Sequence, residues 1–309
     1  MTEKIFKTLE EQVEILRAKG LTINDEKLAR RILFRENYFF ISGYRHLFTE
    51  ADSRTFLPGT TFEELYATFT FDRRIRNTFF KNILIVENNI KSIMSYQLSR
   101  KYGFKEKDYL DPKNFSQDSM QIRQVHDVLD KVKRQIRING RQNTATLHYI
   151  DNYGYVPLWI LVKVLSFGTM AEFFNILKTS DQSDIASVYG ISVQNLSINL
   201  SLLSNFRNVC AHEEILYDHK LQRDIPDSRY HELLDIPKDD EGYIYGKNDL
   251  FSLIIILKQM LSKREFRELI DEINREVVLL DKFINVVPLE TILNRIGFPD
   301  NWYEIKDLD

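Results

Sequence analysis

The most constraining stretch of this sequence begins at Thr61-Phe62-Glu63-Glu64 and runs without a proline to Gly103. Thr61 followed three residues later by Glu64 is a capping box: the hydroxyl accepts from the amide of Glu64, whose side chain reaches back. From there apolar residues recur at helical spacing through Phe71, Ile75, Phe79, Ile83, Val86, Ile90, Ile93 and Leu98. Gly103 supplies the stop. The pattern predicts one helix of about forty residues, long enough to span a whole domain.

The rest of the chain reads as further helices. A stretch from about Ser116 to Ile138, ending at Asn139-Gly140, sets Ile122, Val125, Leu129, Val132 and Ile136 opposite a basic cluster. Pro157 stands where a first helical turn tolerates it, before Leu158-Trp159-Ile160-Leu161. Thr169-Met170-Ala171-Glu172 reads as a second capping box, opening a short helix through Leu177. Gly190 closes the next short helix. Ser192 opens another, with Val193, Leu196, Leu200 and Leu203 on its apolar side, and it runs directly into Arg207-Asn208-Val209-Cys210-Ala211-His212. Ile215 to Gly246 is irregular, with room for one short hairpin. Helices follow at about Asn248–Leu261, Lys263–Phe283 and Leu289–Arg295. Gly and Pro number only 11 and 7, which argues against a sandwich or barrel. The expected class is all-α, with a helical extension over 1–60, a helical core over 61–220, and a loop with C-terminal helices over 221–309 packing on that core.

The single cysteine, Cys210, excludes an intramolecular disulfide and a multi-cysteine zinc site. Charges fall in Met1–Lys7 where a signal peptide needs an apolar core, and Leu253–Leu257 is too short to span a bilayer. The sequence predicts a cytoplasmic protein without a membrane partner. A net charge of −3 does not suit non-specific coating of nucleic acid, so any such contact needs a local basic surface. Two clusters offer one: Lys131, Lys133, Arg134, Arg137 and Arg141, and Arg73, Arg74 and Arg76. By themselves, both read first as solvated helix faces.

Several catalytic motifs fail on inspection. His212-Glu213-Glu214-Ile215-Leu216 has Leu216 where a zinc protease needs its second histidine. Gly242 to Lys247 is one residue too short for a P-loop, and no Gly-x-Ser-x-Gly elbow is present. Cys210 and His212, two apart on a helix, point to opposite sides, so Cys210 reads as a small buried filler. His46, His126, His148, His219 and His231 lack comparable neighbours and read as structural or surface residues. What remains is Arg207 and His212, five apart, with Asn208 four before His212 on the same face. The spacing is a weak signal in itself. Arg207 is offset from His212 by more than a quarter turn, so its side chain must swing round or the helix must loosen near Ala211. The bland alternative is that Arg207 pairs with an acidic neighbour and His212 caps the helix end.

Phe206-Arg207-Asn208-Val209-Cys210-Ala211-His212 resembles the Arg-Asn-x-x-Ala-His signature of HEPN ribonucleases. Asn37-Tyr38-Phe39-Phe40-Ile41-Ser42-Gly43-Tyr44-Arg45 resembles the Tyr-x-x-x-Ser-Gly-Tyr box of the Abi-like (abortive infection, AbiD/AbiF type) family. Phe71-Asp72-Arg73-Arg74-Ile75-Arg76, continuing to Glu87 and Tyr96, is similar to that family's long helix. Val156-Pro157-Leu158-Trp159-Ile160 with Leu165-Ser166-Phe167-Gly168-Thr169, and Gly297-Phe298-Pro299-Asp300-Asn301-Trp302, resemble two further boxes in the same order. The resemblance implies a HEPN-like helical bundle and a metal-independent endoribonuclease toxin of anti-phage defence. It implies RNA as substrate or as a small structured non-coding partner, and no cofactor. Arg207 and His212, with Asn208 beside them, become the catalytic residues. A homodimer would bring two motifs to one cleft, and the products would end in 2′,3′-cyclic phosphate.

The chemistry suits such a site. RNA carries its own nucleophile, the 2′-hydroxyl. A histidine moves protons near neutral pH, and an arginine grips phosphate and stabilises developing charge. One departure stands out: many relatives carry a second histidine where this chain has Glu213, a carboxylate that repels phosphate yet can orient His212. The competing expectation is a non-catalytic RNA-binding or phage-sensing helical module.

Overall fold

The computed structural model describes residues 5–50, 54–140 and 142–308, and Arg141 lies outside them. The fold is all-α, with one two-residue hairpin among the described residues. The helices before the long one are α1 (Leu9–Ala18), α2 (Glu26–Glu36) and α3 (Tyr38–Ser42). The long helix α4 spans Phe62–Tyr102, 41 residues and about 60 Å. Its capping box forms as the sequence predicts, and Gly103 ends it at φ +94°. Phe71, Ile75, Phe79, Ile83, Val86, Ile90, Met94 and Leu98 form its buried stripe, each contributing roughly 1.5–3 kcal/mol on burial. Met94, rather than the half-buried Ile93, fills that stripe near its end.

The N-terminus of α4 ties both chain ends together. Thr22 exchanges backbone hydrogen bonds with Thr60 and Phe62, each 2.9 Å. The Glu64 carboxylate, besides closing the capping box, accepts from the amides of Asn285 and Val286 at 2.7 and 2.9 Å. Segments expected as extension, core and C-terminal cap therefore share one hydrophobic core.

Around α4 lie α5 (Glu106–Tyr109), α6 (Ile122–Asn139), α7 (Thr144–Tyr153), α8 (Leu158–Val164), α9 (Phe167–Asn175), α10 (Thr179–Ser187) and α11 (Val193–Ala211). After them come α12 (Arg229–Leu233), the hairpin of β1 (Lys238–Asp239) and β2 (Gly242–Tyr243), then α13 (Leu250–Met260), α14 (Lys263–Asp281) and α15 (Leu289–Arg295). Helix α14 runs along α4, pinned at its surface by Lys81–Glu272 (2.7 Å) and Arg74–Glu276 (3.0 Å). Helices α8 and α11 pack on α4 as well, and α9 packs on α11. Among the described residues no helix is long and apolar enough to cross a membrane.

Two expected helix starts move. The helix expected from Ser116 begins at Ile122, because Phe115 pairs with Leu177 and the Ser116 amide donates to Ile176 O at 2.9 Å. The helix expected to be capped by Thr169 begins at Phe167, capped by Ser166, whose hydroxyl accepts from the Thr169 amide at 3.2 Å. In the closing segment, Gly297 sits at φ +93° against Asp249, the N-cap of α13, where a Cβ would come within 2.3 Å of the carboxyl carbon.

Candidate functional site

Helix α11 is capped by Ser192, whose hydroxyl accepts from the Asn195 amide at 3.1 Å, and ends at Ala211. The His212 amide still donates to Asn208 O at 2.9 Å. Beyond it, the Glu213 amide donates to Cys210 O and the Glu214 amide to Val209 O, the paired bonds of a Schellman stop. That stop needs a left-handed residue, usually glycine, and here Glu213 fills it at φ +55°. The turn leaves Asn208, Ala211, His212 and Glu213 in solvent, while Val209 and Cys210 face the core. Burial pushes the Cys210 thiol up to about 12, so it is an inert filler, as its spacing predicts.

A buried ion pair on α4 holds the chain immediately after this turn. Asp72 is fully buried and pairs with Arg76 at 3.0 Å, one helical turn away. The same carboxylate accepts from the Leu216 amide (3.2 Å), the Tyr217 amide (2.7 Å) and the Tyr44 hydroxyl (2.8 Å). Arg76 also donates to Glu214 O at 2.8 Å. Desolvation pushes the Asp72 carboxyl upward, and Arg76 with these donors pulls against it. Gly43 packs so closely on Ile215 that a Cβ there would lie 2.4 Å from Ile215 Cδ1. The Ser-Gly-Tyr box, the long helix and the end of α11 thus meet at one point.

Arg207 leans from α11 toward α4. Its Nε lies 3.7 Å from Oε2 of Glu87, and its guanidinium stands 5.8 Å from the centre of the Phe80 ring. Glu87 is shared: its other oxygen accepts from Lys91 at 2.7 Å. One buried carboxylate therefore serves two cations, leaving an excess of positive charge around it. The Arg207 side chain keeps about a third of its surface exposed, and its Nε has no hydrogen-bond partner. His212 is exposed, and among the described residues its hydrogen bonding is through its backbone, with none to its imidazole.

The two basic clusters fare differently. Arg76 is buried and committed to Asp72, so it is not available to a phosphate, a correction to the sequence reading. Arg73 pairs with Glu36 and lies over the Phe69 ring, and Arg74 pairs with Glu276. Each of the three arginines is thus taken by a different carboxylate, Glu36, Glu276 or Asp72, which is why they make no common free surface. On α6, Lys133, Arg134 and Arg137 share the exposed face opposite Val125, Val128, Leu129 and Val132. Lys131 turns aside to Glu172 at 2.6 Å.

Sequence reasoning gave no role to Glu87, Lys91, Asp72 or Tyr44. The readable signal was the i,i+4 spacing of Asp72–Arg76 and Glu87–Lys91 on one helix. The partners those pairs take from α11 and its following loop are set by tertiary packing.

Residues 31–218, more than half of the chain, match the family described as Abi-like protein. The chain belongs to the Abi-like protein family. The match covers the Ser-Gly-Tyr box, the long helix and the Arg207/His212 turn, and stops just past the segment clamped by Asp72. Membership in the Abi-like family suggests a part in abortive infection. No curated protein and no solved structure matches the chain.

Proposed function

We propose that this Abi-like protein is a metal-independent HEPN-type endoribonuclease that acts as a toxin in phage defence. The observation that carries the reading is the end of α11: Arg207, about a third exposed, is followed at the terminal turn by an exposed His212. That histidine has no side-chain hydrogen bond among the described residues, and Asp72 and Arg76 fix the chain just beyond. His212 relays the proton of the RNA 2′-hydroxyl as it attacks the adjacent phosphorus, and the leaving 5′-oxygen takes a proton in turn. Arg207 grips the phosphate and stabilises the charge that builds on it. Glu87 positions Arg207, and Lys91 keeps the locale positive when phosphate competes for the guanidinium. Asn208, one turn before His212, is available to the same RNA. A two-fold dimer would supply the second acid–base histidine. The exposed Lys133, Arg134 and Arg137 face of α6 grips a structured RNA away from the cut, whether substrate or a cognate small non-coding RNA.

The Arg207–Glu87 ion pair favours a second reading, a non-catalytic RNA-binding module in which Arg207 is structural. Arg207→Ala and His212→Ala separate the two. Each is expected to lose RNA cleavage and cellular toxicity while circular dichroism stays unchanged. Toxicity kept by a folded His212→Ala protein would favour the binding module.

A further inference from the structure

Two residues from the sequence motifs, Tyr96 and Trp159, take no part in the Arg207/His212 site. They meet elsewhere, at an open cavity of about 410 Å³ lined by Ser95, Tyr96, Ser99 and Arg100 of α4 together with Phe104 and Trp159. The aromatic rings there are not core. Tyr96 is 65% exposed, and Phe104 and Trp159 are each 42% exposed. In α8, Leu158, Ile160, Leu161 and Val162 are buried, whereas Trp159 is turned outward, as Lys163 is. Phe104 touches Trp159 at 6.2 Å and Tyr155 at 5.6 Å between ring centres, which gives a continuous aromatic wall.

Polar groups edge this wall. Arg100 lines the cavity itself, and the Lys105 ammonium sits 5.3 Å from the centre of the Tyr155 ring. The nearby acid Glu106 is spent on the amide of Val156. The Ser99 hydroxyl is buried in the cavity wall with no hydrogen-bond partner. Stacking faces and adjacent cations match an unpaired nucleotide: base on ring, phosphate on guanidinium.

We propose that this cavity is a stacking site for unpaired bases of single-stranded RNA, with Tyr96, Phe104 and Trp159 as the platform and Arg100 as the phosphate contact. The inference rests on RNA being the partner, and it names how a flexible part of that RNA is held apart from the cleavage turn.

The test uses the full-length protein and a labelled 2′-O-methyl oligoadenylate, which has no free 2′-hydroxyl to attack. Of the two tryptophans, Trp302 is buried, so a change in tryptophan emission reports Trp159. Binding by anisotropy should come with quenching of that emission, and the single strand should bind more tightly than a duplex of equal length. Tyr96→Ala, at a site too exposed to threaten folding, should weaken single-strand binding about tenfold. Arg100→Gln should lower the salt slope by about 0.7. If the wild type binds RNA but emission and Tyr96→Ala affinity are unchanged, the platform is overturned while the RNA reading stands. If neither single strand nor duplex binds, the RNA reading itself fails and the platform with it. If Tyr96→Ala turns a dimer into a monomer at unchanged RNA affinity, the face is a self-association surface and the proposal is overturned.

Discussion

His231 and His212 are the same residue type in opposite surroundings, and the contrast shows what each can do. His231 is fully buried, stacked 4.6 Å from the Tyr243 ring centre. The tautomer that satisfies its neighbours accepts the Ser228 amide at Nδ1 (3.0 Å) and donates from Nε2 to Gly246 O (2.9 Å). Burial holds its pKa below the ordinary imidazole value. The fold then binds fewer protons than the unfolded chain, so stability falls as pH drops below about 6.5 toward the folded pKa. His231→Gln removes the titration and keeps an N–H at the ε position for Gly246 O. Between pH 7 and 5 the wild-type Tm should therefore fall more steeply than that of His231→Gln, measured by circular dichroism melts, and parallel profiles would contradict this. His212 has no such enclosure and stays free for a substrate. The sequence already separated the two by their neighbours. It did not reveal that Glu213 bears the left-handed turn, because glycine is the usual signal for that conformation and is missing here.

At the scale of elements, α4 organises the rest. Its Asp72–Arg76 pair clamps the backbone from Glu214 to Tyr217, and its Glu87 takes Arg207. Arg76→Met leaves Asp72 buried without its cation, which costs about 3–5 kcal/mol. The combined Arg76→Met and Asp72→Asn change removes the stranded charge and should recover part of that loss. Urea unfolding measures both, and an Arg76→Met protein within about 1 kcal/mol of wild type would contradict the clamp. The long helix was legible because its capping box and apolar spacing are local. The start of α6 was not, since the pairing of Phe115 and Ser116 with Leu177 and Ile176 spans sixty residues of chain. Arg76 was misplaced for a related reason. Charge adjacency in sequence is visible, but the buried carboxylate one turn away decides which way the side chain turns.

Across the whole molecule, a chain of net charge −3 presents positive charge only in local patches. The exposed α6 face carries Lys133, Arg134 and Arg137, with Asp130 only 4.0 Å from Lys133 as a partial counterweight. Replacing all three by Glu should weaken RNA binding and flatten its salt dependence by about 0.7–0.9 per lost phosphate contact, with helicity unchanged. Unaltered affinity and slope would leave that face merely solvated. The central claim concerns the turn at the end of α11, and the most direct measurement is the cleavage rate of purified wild-type and His212→Ala protein on one labelled RNA, with the product ends identified. The account predicts wild-type products ending in 2′,3′-cyclic phosphate and a rate at least about a hundredfold lower for a folded His212→Ala protein. Equal rates from the two proteins, or products lacking the cyclic end from the start of the reaction, would contradict it.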